Sequence, residues 1–327
     1  MYNKLRFEWR EHMRLRSKWF LGILLAAGFT TTVAFKREEN SKPQKTKRVA
    51  LNVIAFDQND HVVNDLTAHD FQVTDQGKPQ PIASFEHNEQ PAPVAILFDL
   101  LNDGAGAQGY GAQEIARALQ HLESSDSLYF YLLTREANLR VVRAVPAPGV
   151  EVEAGQNNVP WTQRIGPLLD AVMNSVAALR QQDIENITAT NGAIKALGST
   201  MAPLPGRKYI LWISRGIPLS FRRSDPSPIV DQVARALDDA DITLDSVDQG
   251  SSVSGTSGTF EEFAKITGGK TYYNEFDKAL SEVMNASRSN YIIQFDAAKL
   301  DGKYHKVRVT SSRKGVRLQV KQGYYAE

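Results

Sequence analysis

Short, unbroken apolar runs separated by helical stretches constrain this chain more than any other feature. Val94 to Phe98, Ser127 to Leu133, Lys208 to Ile213 and Ile242 to Val247 are such runs. A strand wet on one face alternates polar with apolar residues, whereas a continuous apolar run is covered on both faces. Between and around these runs, Gln113 to Leu122, Ile187 to Met201, Pro228 to Asp239 and Phe260 to Ile266 read as helices. Ile165 to Arg180 joins them, with apolar residues at Ile165, Leu168, Leu169, Val172, Val176 and Leu179 in helical spacing. Leu139 to Val145 reads as an edge strand, and Lys270 to Tyr273 with Phe276 to Ala286 as a last strand-helix pair. The pattern predicts an α/β fold with a doubly wound, mostly parallel sheet.

The flanks have a different period. Val49 onward, Phe71 to Asp75 and Pro81 to Glu86 alternate as short strands around a Gln76-Gly77 turn, and Pro91-Ala92-Pro93 breaks regular structure. Alternation returns in Tyr291 to Phe295, Tyr304 to Thr310 and Val316 to Gln322, with Asp301-Gly302 expected as a hairpin turn. The expected organisation is a β unit over residues 49–91, an α/β domain over 92–288, and C-terminal strands over 289–327 that pack with the N-terminal β unit as one small module.

Ahead of this body, residues 1–35 form a basic segment with 17 uncharged residues from Trp19 to Phe35, and residues 36–48 read as a basic linker. A spanning helix needs roughly 20 apolar residues and a cleaved signal roughly 7 to 15. The length favours a membrane anchor through residues 19–35, while the small residues at Thr32-Val33-Ala34 leave open a cleaved signal and a secreted body. Six Lys/Arg flank the span on each side, so charge does not set the orientation; a long trailing domain is commonly translocated, which places residues 36–327 outside the cytoplasmic membrane.

Charge then narrows the partners. The chain of 327 residues has a net charge of +1. Residues 1–48 hold 12 basic and 4 acidic side chains, leaving 26 basic and 33 acidic in the body, which gives no basic surface for nucleic acid. The absence of cysteine excludes a disulfide scaffold, a thiolate nucleophile and Cys-type zinc or iron-sulfur sites.

In an open α/β sheet, ligands bind beyond the carboxyl ends of the strands. The first sheet strand there runs into Asp99-Leu100-Leu101-Asn102-Asp103-Gly104, and a later one ends in Ile213-Ser214-Arg215-Gly216. The ordered pieces VAILFDLLND, PGRKYILWISRGIP, FAKITGGKTYY, YIIQFD and GYYA, with the entry segment NDLTAHDFQVTDQGKPQPIASFE, resemble the von Willebrand factor A-related family of acidobacterial type over nearly all of residues 49–327. The resemblance implies a von Willebrand factor A-like fold used for protein-protein interaction. Similar A domains often hold Mg²⁺ or Mn²⁺ in a metal-ion-dependent adhesion site built from Asp-x-Ser-x-Ser, a Thr and a further Asp, all hard oxygen ligands.

Set against that pattern, Asp99 is kept, Leu101 and Asp103 replace the two serines, Thr190 stands at the Thr position with Thr188 close by, and Arg215 stands at the third-loop Asp. Leu101 has no lone pair to offer, and a guanidinium cannot ligate a metal. The expectation is an Arg215–Asp99 pair in a vacated metal site and no cofactor, with a reduced Mg²⁺ or Mn²⁺ site of Asp99, Asp103 and Thr190 as the alternative. The expected binding face is Asp99, Asn102, Asp103, Thr190 and Arg215, with the Gln249–Gly258 loop as a mobile rim.

Competing chemistry is thin. Gly104, Gly106 and Gly109 match G-x-G-x-x-G, the loop of a dinucleotide-binding enzyme, but Asp99 and Asp103 would crowd a pyrophosphate with like charge. No G-x-S-x-G or His-x-x-x-His pattern occurs, and the six histidines read as surface or turn residues. Asp238, Asp239 and Asp241 read as a solvated helix end. The sequence therefore predicts no enzyme but an extracytoplasmic, membrane-anchored module that binds an unidentified protein partner through a degenerate adhesion site; a metal-dependent adhesion module and a dinucleotide enzyme are the alternatives.

Overall fold

In the computed structural model the described residues are 47–102, 112–120, 122, 127–145, 160, 163, 165–167, 183–217, 227–250 and 257–327. The Trp19–Phe35 span, residues 36–46 of the linker, Asp103, the Gly104, Gly106 and Gly109 loop, and Arg222 and Arg223 lie outside them, as does most of the Ile165 to Arg180 helix. Among the described residues, no helix is long and apolar enough to cross a membrane.

The continuous apolar runs become one six-stranded sheet. Its strands are β5 (Val94–Asp99), β6 (Leu128–Leu133), β7 (Leu139–Arg143), β8 (Lys208–Ser214), β9 (Ile242–Asp248) and β10 (Thr271–Tyr273), in the order β10-β9-β8-β5-β6-β7. All neighbours are parallel except β7, the edge strand, which runs antiparallel to β6. Every residue of β5, β6, β8 and β9 is buried, because helices cover both faces. On one face α1 (Ala112–Gln120) and α5 (Phe276–Ala286) pack on Ile96, Phe98, Phe130 and Leu211. On the other, α2 (Asp183–Met201), α3 (Ser227–Asp239) and α4 (Ser257–Thr267) enclose Leu97, Trp212 and Leu244.

Helical spacing accounts for each docking face. In α5, Phe276, Ala279, Leu280, Val283 and Met284 fall on one stripe, all buried. Each large apolar side chain there contributes about 2 kcal/mol. In α2 the buried stripe is Ile187, Thr190, Asn191, Ile194, Leu197 and Met201, so Thr190 is turned toward the sheet while Thr188 is exposed.

The flanking strands build two four-stranded sheets. One is β13-β1-β11-β4, with β1 (Arg48–Phe56), β4 (Ser84–Asn88), β11 (Asn290–Asp296) and β13 (Arg317–Gln319). The other is β14-β12-β2-β3, with β2 (Phe71–Asp75), β3 (Lys78–Gln80), β12 (Tyr304–Ser311) and β14 (Gly323–Tyr325). Residues from both ends of the chain meet in each, for example Leu51 opposite Ile293 and Val73 opposite Val309. Leu51, Val53, Phe71, Phe295 and Tyr324 share the core between them.

The structure departs from the sequence expectations at three places. Asp301-Gly302 is not a hairpin turn, because β11 and β12 belong to different sheets; the turn carries the chain from one to the other, with Gly302 at φ +70°. Val316 to Gln322 is not one strand either. The chain leaves the first sheet at Gln319 and enters the second at Gly323, where any Cβ would overlap the His305 carbonyl oxygen. The histidine reading also fails at one position. His305 is buried in β12, with Nδ1 3.3 Å from Asp75 Oδ1 and Nε2 3.1 Å from Asp301 Oδ1.

Polar groups tie the α/β layers to these sheets. Asn52 donates to Asp241 and accepts from Asn290. Asp245, on β9, accepts from the Lys270 backbone N–H at 2.8 Å and from Gln319 Nε2 at 3.2 Å. Glu282 accepts from Lys270 Nζ at 2.7 Å and from the Tyr272 hydroxyl at 2.9 Å. Burial pushes the Asp245 carboxyl up to about 6, against the Lys270 and Gln319 hydrogen bonds and the Arg207 and Lys270 charges that lower it. Its folded value lies above its unfolded one, so its stabilising contribution is complete below about pH 4 and is lost as pH rises through about 6. Asp245→Asn should therefore raise stability at pH 8 by up to about 3 kcal/mol, with the gain vanishing near pH 4, measured by urea unfolding at both pH values. An equal gain at both would contradict this.

A candidate interaction site at the strand ends

The strand order reverses between β5 and β8: the chain proceeds from β5 outward to β7 on one side and from β8 outward to β10 on the other. The crevice of such a sheet opens at this switch point. Asp99 closes β5 there and Ser214 closes β8.

Asp99 is 2% exposed, and its carboxylate is saturated with donors. Oδ1 accepts the backbone N–H groups of Leu101 at 3.0 Å and Asn102 at 3.3 Å. Oδ2 accepts Asn102 Nδ2 at 2.7 Å, Ser214 Oγ at 2.8 Å and Trp212 Nε1 at 3.2 Å. Burial pushes the carboxyl above its usual range, opposed by the Asn102, Ser214 and Trp212 hydrogen bonds. Five donors suit an ionised carboxylate, which accepts only.

The amide of Asn102 does a second job. Its Nδ2 also donates to Thr190 Oγ1 at 2.8 Å, so one nitrogen bridges the loop after β5 and the body of α2. Thr190 itself is fully buried, whereas Thr188 is exposed. Of the expected face, the structure brings Asp99, Asn102 and Thr190 together; Asp103 lies outside the described residues.

Among the described residues, Arg215 is not one of the five hydrogen-bond donors to Asp99, which departs from the sequence expectation. Side chains alternate along a strand, so Trp212 and Ser214 share the face that reaches Asp99, while Arg215 lies just past the strand end. The charge of Arg215 is felt instead at Asp248, which ends β9 opposite Ser214. Burial raises the Asp248 carboxyl, and its hydrogen bond from Gly250 and the charge of Arg215 bring it partway back. Arg215→Met should accordingly raise the Asp248 pKa further, read from carboxyl carbon shifts in an NMR titration; an unmoved Asp248 would contradict this placement.

Two participants escaped sequence reasoning. Ser214 and Trp212 supply the donors assigned to Arg215, and Ser214 Oγ also accepts the Gly216 N–H at 2.9 Å. The signal was strand parity: Ser214 is the one polar residue after an apolar run and shares its face with Trp212. At the rim, the Gln249 backbone N–H donates to Ser214 O, and its side-chain nitrogen is buried without a partner among the described residues. Residues 251–256 of the expected rim are outside the described residues.

Oxygen atoms of Asp99, Thr190 and Ser214 gather here, as a hard cation would require. The arrangement nevertheless does not fit one, because Asn102 Nδ2 sits between Asp99 and Thr190 and the half-buried Leu101, packed against the apolar core, has no lone pair. Among the described residues, no group of three or more His, Cys, Asp or Glu could hold a metal ion.

No family model matches the chain, and no curated protein matches it. Among solved structures it is similar to human COPII-coat protein Sec24c, at 10% identity and TM-score 0.30, covering 72% of this chain and 44% of that one. It is also similar to proximal thread matrix protein 1 of the mussel byssus, at 13% identity and TM-score 0.34 over 62% of this chain and 49% of that one. The N-terminal domain of TFIIH p34 aligns at 18% identity and TM-score 0.33, covering 61% of this chain and 98% of that domain. The chain thus spans less than half the length of the first two.

Proposed function

We propose that the chain is a protein-protein interaction module of von Willebrand factor A-like fold, with the strand-end face around Asp99, Asn102, Thr190 and Arg215 as its docking surface and a degenerate adhesion site at its centre. One observation carries the reading: the side chains of Asp99, Asn102, Thr190 and Ser214 at the switch point are spent on one another. A carboxylate that already accepts five hydrogen bonds is a poor base and a poor nucleophile. What such a face offers is a rigid, preorganised surface, and preorganisation lowers the cost of binding. In this reading Trp19 to Phe35 anchors the chain in the membrane and the body works outside the cytoplasm.

Two experiments test the reading. Proximity labelling by the full chain in its own host should mark a protein that is enriched with native chain and lost with Arg215→Glu, while far-UV circular dichroism stays unchanged. Equal labelling by folded Arg215→Glu would remove the strand-end face from consideration. For the location, carbonate extraction should leave the full chain in the membrane fraction, and protease added to spheroplasts should digest the body; protection of the body would refute its placement outside.

A further inference from the structure

We propose that the side-chain amide of Asn102 occupies the place of a divalent cation at the strand ends, so that this face docks its partner without metal and holds a latent Mn²⁺ or Mg²⁺ site that one substitution opens. The inference rests on the binding-module reading above and specifies how its centre is built.

The geometry is that of a bridging atom. Asn102 Nδ2 lies 2.7 Å from Asp99 Oδ2 and 2.8 Å from Thr190 Oγ1, so both amide hydrogens point to oxygens a cation would share. Mg²⁺ would hold such oxygens at about 2.1 Å, which requires only a modest closing of the same pair. Ser214 Oγ, 2.8 Å from Asp99 Oδ2, is a further oxygen beside the same carboxylate.

The electrostatics agree. The charge of buried Asp99 is offset by dipoles, from Trp212 Nε1, Ser214 Oγ, the Asn102 amide and two backbone N–H groups. A doubly charged ion has no comparable deficit to fill while the amide remains. Leu101 is half-buried against the apolar core and has no lone pair, so its position supplies no ligand. An amide nitrogen carrying two hydrogens is a donor and not a metal ligand, so ion and amide exclude each other while Nδ2 faces Asp99 and Thr190.

Asn102→Asp exchanges the donor for an oxygen ligand and sets it beside Asp99, where two carboxylates repel until a cation joins them. Asn102→Ser vacates the position with a smaller perturbation. The test is calorimetric titration of Mn²⁺ into the full chain in detergent micelles, for native protein, both variants and Asn102→Asp with Asp99→Asn. Native chain should show no saturable heat. Asn102→Asp should gain saturable binding at least about tenfold tighter than any native response, and the added Asp99→Asn should abolish it. If Asn102→Asp is unfolded without metal, Mn²⁺ should restore its far-UV signal.

Saturable Mn²⁺ binding by native chain that Asp99→Asn abolishes would overturn the inference. So would folded variants that gain nothing, or an unfolded Asn102→Asp that Mn²⁺ does not restore. These outcomes are separate from the docking reading: native metal binding would leave the strand-end face a docking surface, whereas equal partner labelling by Arg215→Glu would remove that role and leave the metal result intact.

Discussion

A carboxylate buried at the end of a central strand must be given hydrogen-bond donors, and the way Asp99 obtains them organises the strand-end face. Its donors come from the loop after β5, from Trp212 and Ser214 on β8, and through Asn102 it is coupled to Thr190 on α2. Three elements distant in sequence are thus fixed to one side chain. Removing a donor from a buried ionised group costs about 1–3 kcal/mol or more, so the cluster is held together by what its loss would leave unpaired. The same saturation that makes Asp99 structurally demanding makes it chemically quiet.

The β sheets are joined to the α/β layers by a strand with two faces to bury. In β1 the alternation seen at Arg48 to Leu51 gives way to continuous burial, because Val53 and Ala55 face the core between the two β sheets while Ile54 and Phe56 join the core under α1 and α5. Buried polar groups decorate this seam rather than avoid it. Asp245, Lys270, Glu282 and Tyr272 hold one another, and Gly269 lets the chain pass close to β9, since a Cβ there would overlap the Leu244 carbonyl oxygen. A seam of this kind is specific in register and sensitive to pH through Asp245, whose carboxyl burial raises to about 6.

The mixed α/β architecture was legible because two-sided burial writes itself as uninterrupted apolar runs, and β5, β6, β8 and β9 lie close to the runs that predict them. The turn at Asp301-Gly302 misled because a Gly in positive φ marks a reversal of the chain without saying which sheet the next strand joins. At the site, Asp99 and Thr190 could be placed from the resemblance, but the partner of Asp99 could not. Charge complementarity nominated Arg215, whereas strand parity selects Ser214, and a difference of one residue reverses the direction of a side chain. The bridging role of Asn102 left no trace in the sequence, because its two acceptors come together only when β5 and α2 are packed.

The most direct test of an amide-held centre is an anomalous diffraction experiment on crystals of the native protein grown with Mn²⁺. The account predicts no anomalous peak between Asp99 and Thr190, with Asn102 Nδ2 within hydrogen-bonding distance of both. A Mn²⁺ peak bonded to Asp99, with the Asn102 side chain displaced, would contradict it.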